Sequence, residues 1–151
     1  MVHLDSSIEI RKVAQDVFAY VTDPAQMPRW MSSVVAVTCI APAVSGVGTI
    51  FRHRWNLLGQ VLETTYEVLE WDPGRAFVYQ SIAGSECSFV RSSFAPTSSG
   101  TQLTWRVDHD LLGRFQQDMP LAVRAMQQLL DVDLLTLKAM LEHQEHATTV
   151  S

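Results

Sequence analysis

Lysine is almost missing from this 151-residue chain. Its 11 basic residues are nine arginines and two lysines, Lys12 and Lys138, scattered along the chain. Against 16 Asp and Glu they leave a formal charge of −5. That sign offers no electrostatic footprint to nucleic acid and no polybasic anchor to anionic lipid, so no nucleic-acid partner is expected. Cysteine is scarce too. Cys39 and Cys87 are too few for a disulfide framework and form no C-x-x-C pair for zinc, so each reads as a small buried apolar residue. No apolar run approaches the roughly 18 residues of a spanning helix, so no transmembrane segment is expected. Met1-Val2-His3-Leu4-Asp5 carries no basic stretch ahead of a long apolar one, so no signal peptide is read and a cytoplasmic protein is the expectation. Gly46-Val47-Gly48 lacks the Gly-Lys and helix of a phosphate loop, and no serine stands in a G-x-S-x-G elbow. No cofactor and no metal site are expected.

What is there is globular: 47% hydrophobic and 18% charged. The length suits one domain, read as residues 1–146 with 147–151 a disordered tail. His3 to Ile10 reads as a strand. Val13, Val17, Tyr20 and Val21 recur at helical spacing, and Asp23-Pro24 opens a second short helix running to about Trp30. Val34 to Ile40 is a β-branched strand, and Ala41 to Gly48 is a loop. Five further strands follow at Thr49–Leu57, Gln60–Trp71, Ala76–Ile82, Cys87–Ala95 and Thr101–Asp108, separated by short turn signals. Short loops between consecutive strands mean an antiparallel meander. From Pro120 to about His143, Val123, Met126, Leu130, Leu134, Leu137 and Leu141 form the stripe of one long amphipathic helix. The class is α+β, with a curved sheet wrapped around that helix.

Side-chain alternation then predicts which residues face the helix. An even turn at Leu58-Gly59 puts Phe51, His53 and Trp55 with Leu62, Thr64, Tyr66 and Val68. Arg52, Arg54, Glu63 and Glu67 fall on the solvent side. Carried forward, the inner face takes Phe77, Tyr79 and Ser81, then Ser88, Val90, Ser92 and Phe94, then Leu103, Trp105 and Val107. Buried polar groups need partners, so hydroxyls among these rings fit either a ligand-filled cavity or a closed core of satisfied hydroxyls. Val61, Leu69, Trp71 and Val78 fall together outside, either as an apolar patch that could serve a dimer contact or as part of a partly shielded outer strand.

Ile8-Glu9-Ile10 through Val17-Phe18, then Asp23-Pro24 and Pro28-Arg29-Trp30, resemble the START-like or SRPBCC superfamily, a helix-grip group of the Bet v type. The nearest likeness is to polyketide cyclase/dehydrase and lipid-transport-like proteins. Val68-Leu69-Glu70-Trp71-Asp72-Pro73-Gly74-Arg75 and Gly100-Thr101-Gln102-Leu103-Thr104-Trp105 extend the resemblance over nearly the whole chain. It implies a seven-stranded antiparallel sheet gripping the C-terminal helix. Two short helices lie between the first and second strands, and a hydrophobic cavity lies between sheet and helix. Members bind lipids, sterols or polyketides, and some are aromatase/cyclases or dehydratases.

The expected ligand site is therefore Phe51, Trp55, Thr64, Tyr66, Phe77, Tyr79, Ser81, Val90, Ser92, Phe94, Leu103 and Trp105, with Met126 and Leu130 from the helix. His53 is the candidate general base, and Tyr66 the candidate donor to a carbonyl oxygen; the other reading of His53 is a ring satisfied by Thr64 or water that only orients a ligand. Asp131 and Asp133 read as a solvated helix face, with the alternative that one of them points toward the cavity mouth. Arg91 and Arg106 read as solvated charges, and His109 as a strand-end loop residue, the alternative being a metal ligand with Asp108 and Asp110. His143 and His146 have a metal-like spacing but no further ligands nearby. The first functional expectation is binding of a small hydrophobic or aromatic molecule by a monomer or homodimer. The alternatives are a cofactor-independent polyketide cyclase or dehydratase using His53 with a tyrosine, and a protein-interaction or co-chaperone-like module.

Overall fold

The computed structural model describes residues 1–41 and 46–150, with side chains for 1–40 and 46–143. Residues 42–45 of the loop expected over Ala41–Gly48, and the His146 side chain, lie outside them. The order is β1 (Val2–Ile10), α1 (Ala14–Val21), α2 (Met27–Trp30), β2 (Val34–Ala41), β3 (Ile50–Leu57), β4 (Gln60–Asp72), β5 (Ala76–Gly84), β6 (Cys87–Pro96), β7 (Thr101–Asp110) and α3 (Met119–Val150). The seven strands form one antiparallel sheet in the order β1-β7-β6-β5-β4-β3-β2, the helix-grip arrangement. No described helix is long and apolar enough to cross a membrane.

Local chemistry places the elements. Asp23 accepts the Ala25 N–H at 3.1 Å and Pro24 follows, so a 3₁₀ turn leads directly into α2. Leu58 and Gly59 both have positive φ, as a two-residue hairpin loop requires, and Leu57 pairs with Gln60. The helix α3 buries Met126, Leu134, Leu137 and Leu141 against the sheet and continues past the expected end near His143. Its polar flank also satisfies the free edge of β1. Gln127 donates to the Asp5 carbonyl at 2.9 Å, Lys138 donates to the Glu9 carbonyl at 2.7 Å, and Glu142 accepts the Arg11 N–H at 2.9 Å.

Alternation holds on β3, β6 and β7, but β4 departs from it. The β4–β5 register shifts between Val68 and Glu70, where β4 carries an extra residue. That bulge turns Trp71 to the inner face opposite Phe77, where its ring meets Phe18 edge-on at 5.2 Å. The expected outer patch therefore breaks up. Val61 and Leu69 remain exposed, and Trp71 packs on the core. Val78 is buried, flanked in register by Glu70 and Arg91, whose charges meet at 3.7 Å. Both cysteines are exposed, contrary to expectation. Cys39 sits on the edge strand β2 and Cys87 is the first residue of β6.

Two glycines, Gly84 at the end of β5 and Gly100 in the β6–β7 loop, let backbones approach closely. A Cβ on Gly84 would lie 2.2 Å from the Glu63 carbonyl oxygen, and one on Gly100 would lie 2.1 Å from that of Ile10. Gly84→Ala is expected to cost at least about 2 kcal/mol in urea unfolding, through overpacking against backbone. Gly59→Ala meets open space and should cost only the left-handed backbone term, about 1 kcal/mol. Equal losses at the two positions would contradict the close approach at Gly84.

Candidate functional site

Between the concave face and α3 lies a cavity of about 100 Å³. Every inner strand contributes to its wall: His53 and Trp55 from β3, Tyr66 from β4, Tyr79 from β5, Val90 from β6, and Trp105, Val107 and His109 from β7. Met126, Leu129, Leu130 and Asp133 of α3 close the other side, with Met31 and Ser33 at the rim. Seven residues expected at the site lie off this wall. Phe77 and Phe94 surround Phe18 of α1, which fills that end of the sheet. Phe51 is fully buried, its ring 5.2 to 5.4 Å from those of His53, Tyr66 and Tyr79. Leu103 is fully buried in the core, and Ser92 donates to the Phe77 carbonyl at 3.2 Å. Ser81 accepts the Ser88 N–H at 2.9 Å, beside a separate groove on β5 and β6. Thr64 stands behind Trp55 and accepts its indole N–H at 3.2 Å.

The cavity's polar groups are mostly neutral. His53 is 3% exposed, with Nε2 3.1 Å from the Met27 sulfur. A thioether can only accept, so Nε2 carries the proton. Burial pulls the ring's pKa down to about 3. Tyr66 and Tyr79 are pushed well above the usual phenol range, first by burial and then by neighbouring groups, Glu86 among them. Both phenols therefore keep their protons. The Ser88 hydroxyl lies 3.5 Å from the Tyr66 oxygen.

Three polar residues stand differently from the first expectation of the sequence. Asp133 is buried, not solvated. Its Oδ1 accepts the Ser32 N–H at 3.0 Å and the Ser32 hydroxyl at 2.7 Å, tying α3 to the α2–β2 connection. Burial raises its pKa, and the two Ser32 bonds oppose that rise. His109 belongs to β7, which runs to Asp110, and it faces the cavity. Glu86 is 2% exposed, sits just before β6 and reaches His109. The signal was available for both of these. The inner alternation 88, 90, 92, 94 extends back to 86, and 103, 105, 107 extends on to 109. Among the described residues no group of His, Cys, Asp and Glu could hold a metal ion.

The buried His53 gives a pH signature. An unfolded histidine takes up its proton near pH 6.5, whereas the folded ring resists protonation down to about 3. Its contribution is complete above about pH 6.5 and is lost by about 1.4 kcal/mol per pH unit as pH falls towards the folded value. Urea midpoints of the wild type should fall faster than those of His53→Phe between about pH 6.5 and 4.5. Parallel profiles would contradict a neutral buried ring.

A family model described as polyketide cyclase / dehydrase and lipid transport matches residues 1–142. Among solved structures, TTHA0849 from Thermus thermophilus covers 91% of this chain and 95% of its own, at TM-score 0.80 and 18% identity. The Zhui aromatase/cyclase from Streptomyces sp. R1128 covers 95% of this chain and 94% of its own, at TM-score 0.78 and 13% identity. A START superfamily protein from Mycobacterium smegmatis covers 88% of this chain and 98% of its own, at TM-score 0.68 and 15% identity. At such identities the likeness is one of fold. The chain spans 65% of the length of the curated relatives it matches, such as the uncharacterized protein Rv2574 of Mycobacterium tuberculosis. That relative is 26% identical over 117 residues, 72% of this chain.

Proposed function

We propose that this chain, which belongs to the polyketide cyclase/dehydrase and lipid transport family, binds a small hydrophobic or aromatic molecule in the cavity between sheet and α3. The observation that carries the reading is the cavity wall itself: tryptophan, tyrosine and aliphatic side chains with a few polar groups among them. A dry void of about 100 Å³ costs a fold about 2 kcal/mol, which an apolar occupant offsets. The volume suits a single ring. Leu129 also lines a groove of about 360 Å³ between α3 and the β3–β4 turn, so a longer occupant has a direction in which to extend. Native mass spectrometry with thermal shifts tests the reading. Single-ring and two-ring aromatics are expected to raise Tm. An apo mass with no shift across aromatics, sterols and fatty acids would overturn the proposal.

Leu129→Ala should join cavity and groove. Alkylated aromatics should then gain affinity by about fourfold per methylene that the groove newly buries. An unchanged preference among chain lengths would separate the two spaces.

The second reading, a cofactor-independent cyclase or dehydratase, is favoured by the His53 ring standing 5.1 Å from that of Tyr66. It is opposed by the ring's low proton affinity, which makes a weak general base. His53→Ala separates the two. A binding protein keeps its affinity within a few-fold, whereas an enzyme loses turnover on a polyketide-like substrate.

A further inference from the structure

One end of the cavity is wired by a chain of hydrogen bonds whose direction is set by donor and acceptor type. The Trp55 indole N–H can only donate, and it donates to the Thr64 oxygen at 3.2 Å. Thr64 in turn gives its proton to Glu86 Oε1. The other carboxylate oxygen, Oε2, lies 2.9 Å from His109 Nδ1 and accepts the ring proton there. The Glu86 side chain is fully buried, held by the close approach at Gly84 and by Ser85, whose N–H donates to the Glu63 carbonyl at 2.9 Å. In the neutral ring this leaves Nε2 with a bare lone pair. His109 lines the cavity, and Nε2 has no partner among the described residues. The wall as a whole holds no lysine or arginine, and a second buried carboxyl, Asp133, stands on it.

We infer that His109, positioned by Glu86, is the polar anchor of the site, and that the occupant is an apolar molecule bearing a hydroxyl donor, not a carboxylate. A hydroxyl gives its proton to Nε2 and leaves its carbon skeleton among Trp55, Trp105 and Val107. A carboxylate finds no lysine or arginine on the wall and has the Glu86 carboxyl standing behind the ring it would meet. A site built to pair a hydroxyl discriminates sharply against an isostere without one, because its own acceptor is left unpaired. The inference rests on the binding function proposed above and specifies the chemistry of its occupant.

The test uses the full chain with p-cresol, its isostere p-xylene and the anion p-toluate near neutral pH, read by calorimetric or NMR titration. The wild type should bind p-cresol at least tenfold more tightly than p-xylene and bind p-toluate worst. His109→Leu should close the gap between p-cresol and p-xylene to within a few-fold while keeping p-xylene affinity. Glu86→Gln should narrow the gap without touching the cavity wall. Ring ¹⁵N shifts of His109 in the unmutated protein provide a readout independent of variant folding. They should place the neutral ring's proton on Nδ1 and move Nε2 when p-cresol is added. Equal binding of p-cresol and p-xylene, tightest binding of p-toluate, or a proton on Nε2 would overturn the inference and leave the cavity reading standing. Binding of none of the three would overturn both.

Discussion

Seven strands present one concave face, and a single helix has to cover it. The constraint shapes the rest of the molecule. Where α1 and α2 add side chains to that cover, as Phe18 does between Trp71, Phe77 and Phe94, the sheet closes into an aromatic core. The Trp30 ring likewise stands edge-on to Trp105 at 5.3 Å. Where α3 alone faces the sheet, four well-spaced side chains from Met126 to Asp133 do not fill the curvature, and a cavity remains. Packing at native density would require larger side chains or a flatter sheet.

The polar groups around that cavity divide by how they are satisfied. His53 is buried and neutral, spends one nitrogen on a sulfur atom, and acts as part of the aromatic wall. Asp133 spends one oxygen on Ser32 and thereby locks α3 onto the α2–β2 connection. Glu86 spends both oxygens, on Thr64 and on His109. Of these, the Glu86 carboxyl alone stands off the cavity wall and orients a second ring, His109, that lines it. Buried networks of this kind are costly when one member is missing, because the remaining groups lose their only partners.

Much of this was legible in the chain. Each element is announced by a local rule: Asp23-Pro24 for a helix start, Leu58-Gly59 for a tight hairpin, an uninterrupted 3–4 stripe for α3. Alternation then assigned the inner faces of β3, β6 and β7 correctly, because a period of two survives any turn that keeps the register. It mislaid Trp71, since the bulge near Leu69 leaves no local mark in residue types. It also stopped one residue pair short of Glu86 and His109. A charged residue beside a turn and a histidine between two aspartates look like loop chemistry until the strands are seen to continue.

The sequence by itself determined the class, the antiparallel order of the meander and the aromatic character of the concave face, because hydrophobic period and turn chemistry are local quantities. Only the tertiary structure decided which of those inner residues surround space and which are packed shut, since that depends on where Phe18 and the short side of α3 happen to lie. It alone joined Glu86 to His109. The two are 23 positions apart in the chain, Glu86 in the β5–β6 turn and His109 on β7, and the turn is held there by the close approach of Gly84, at the end of β5, to the backbone of β4. A distance across a curved sheet is set by crossing geometry, and no local pattern encodes it.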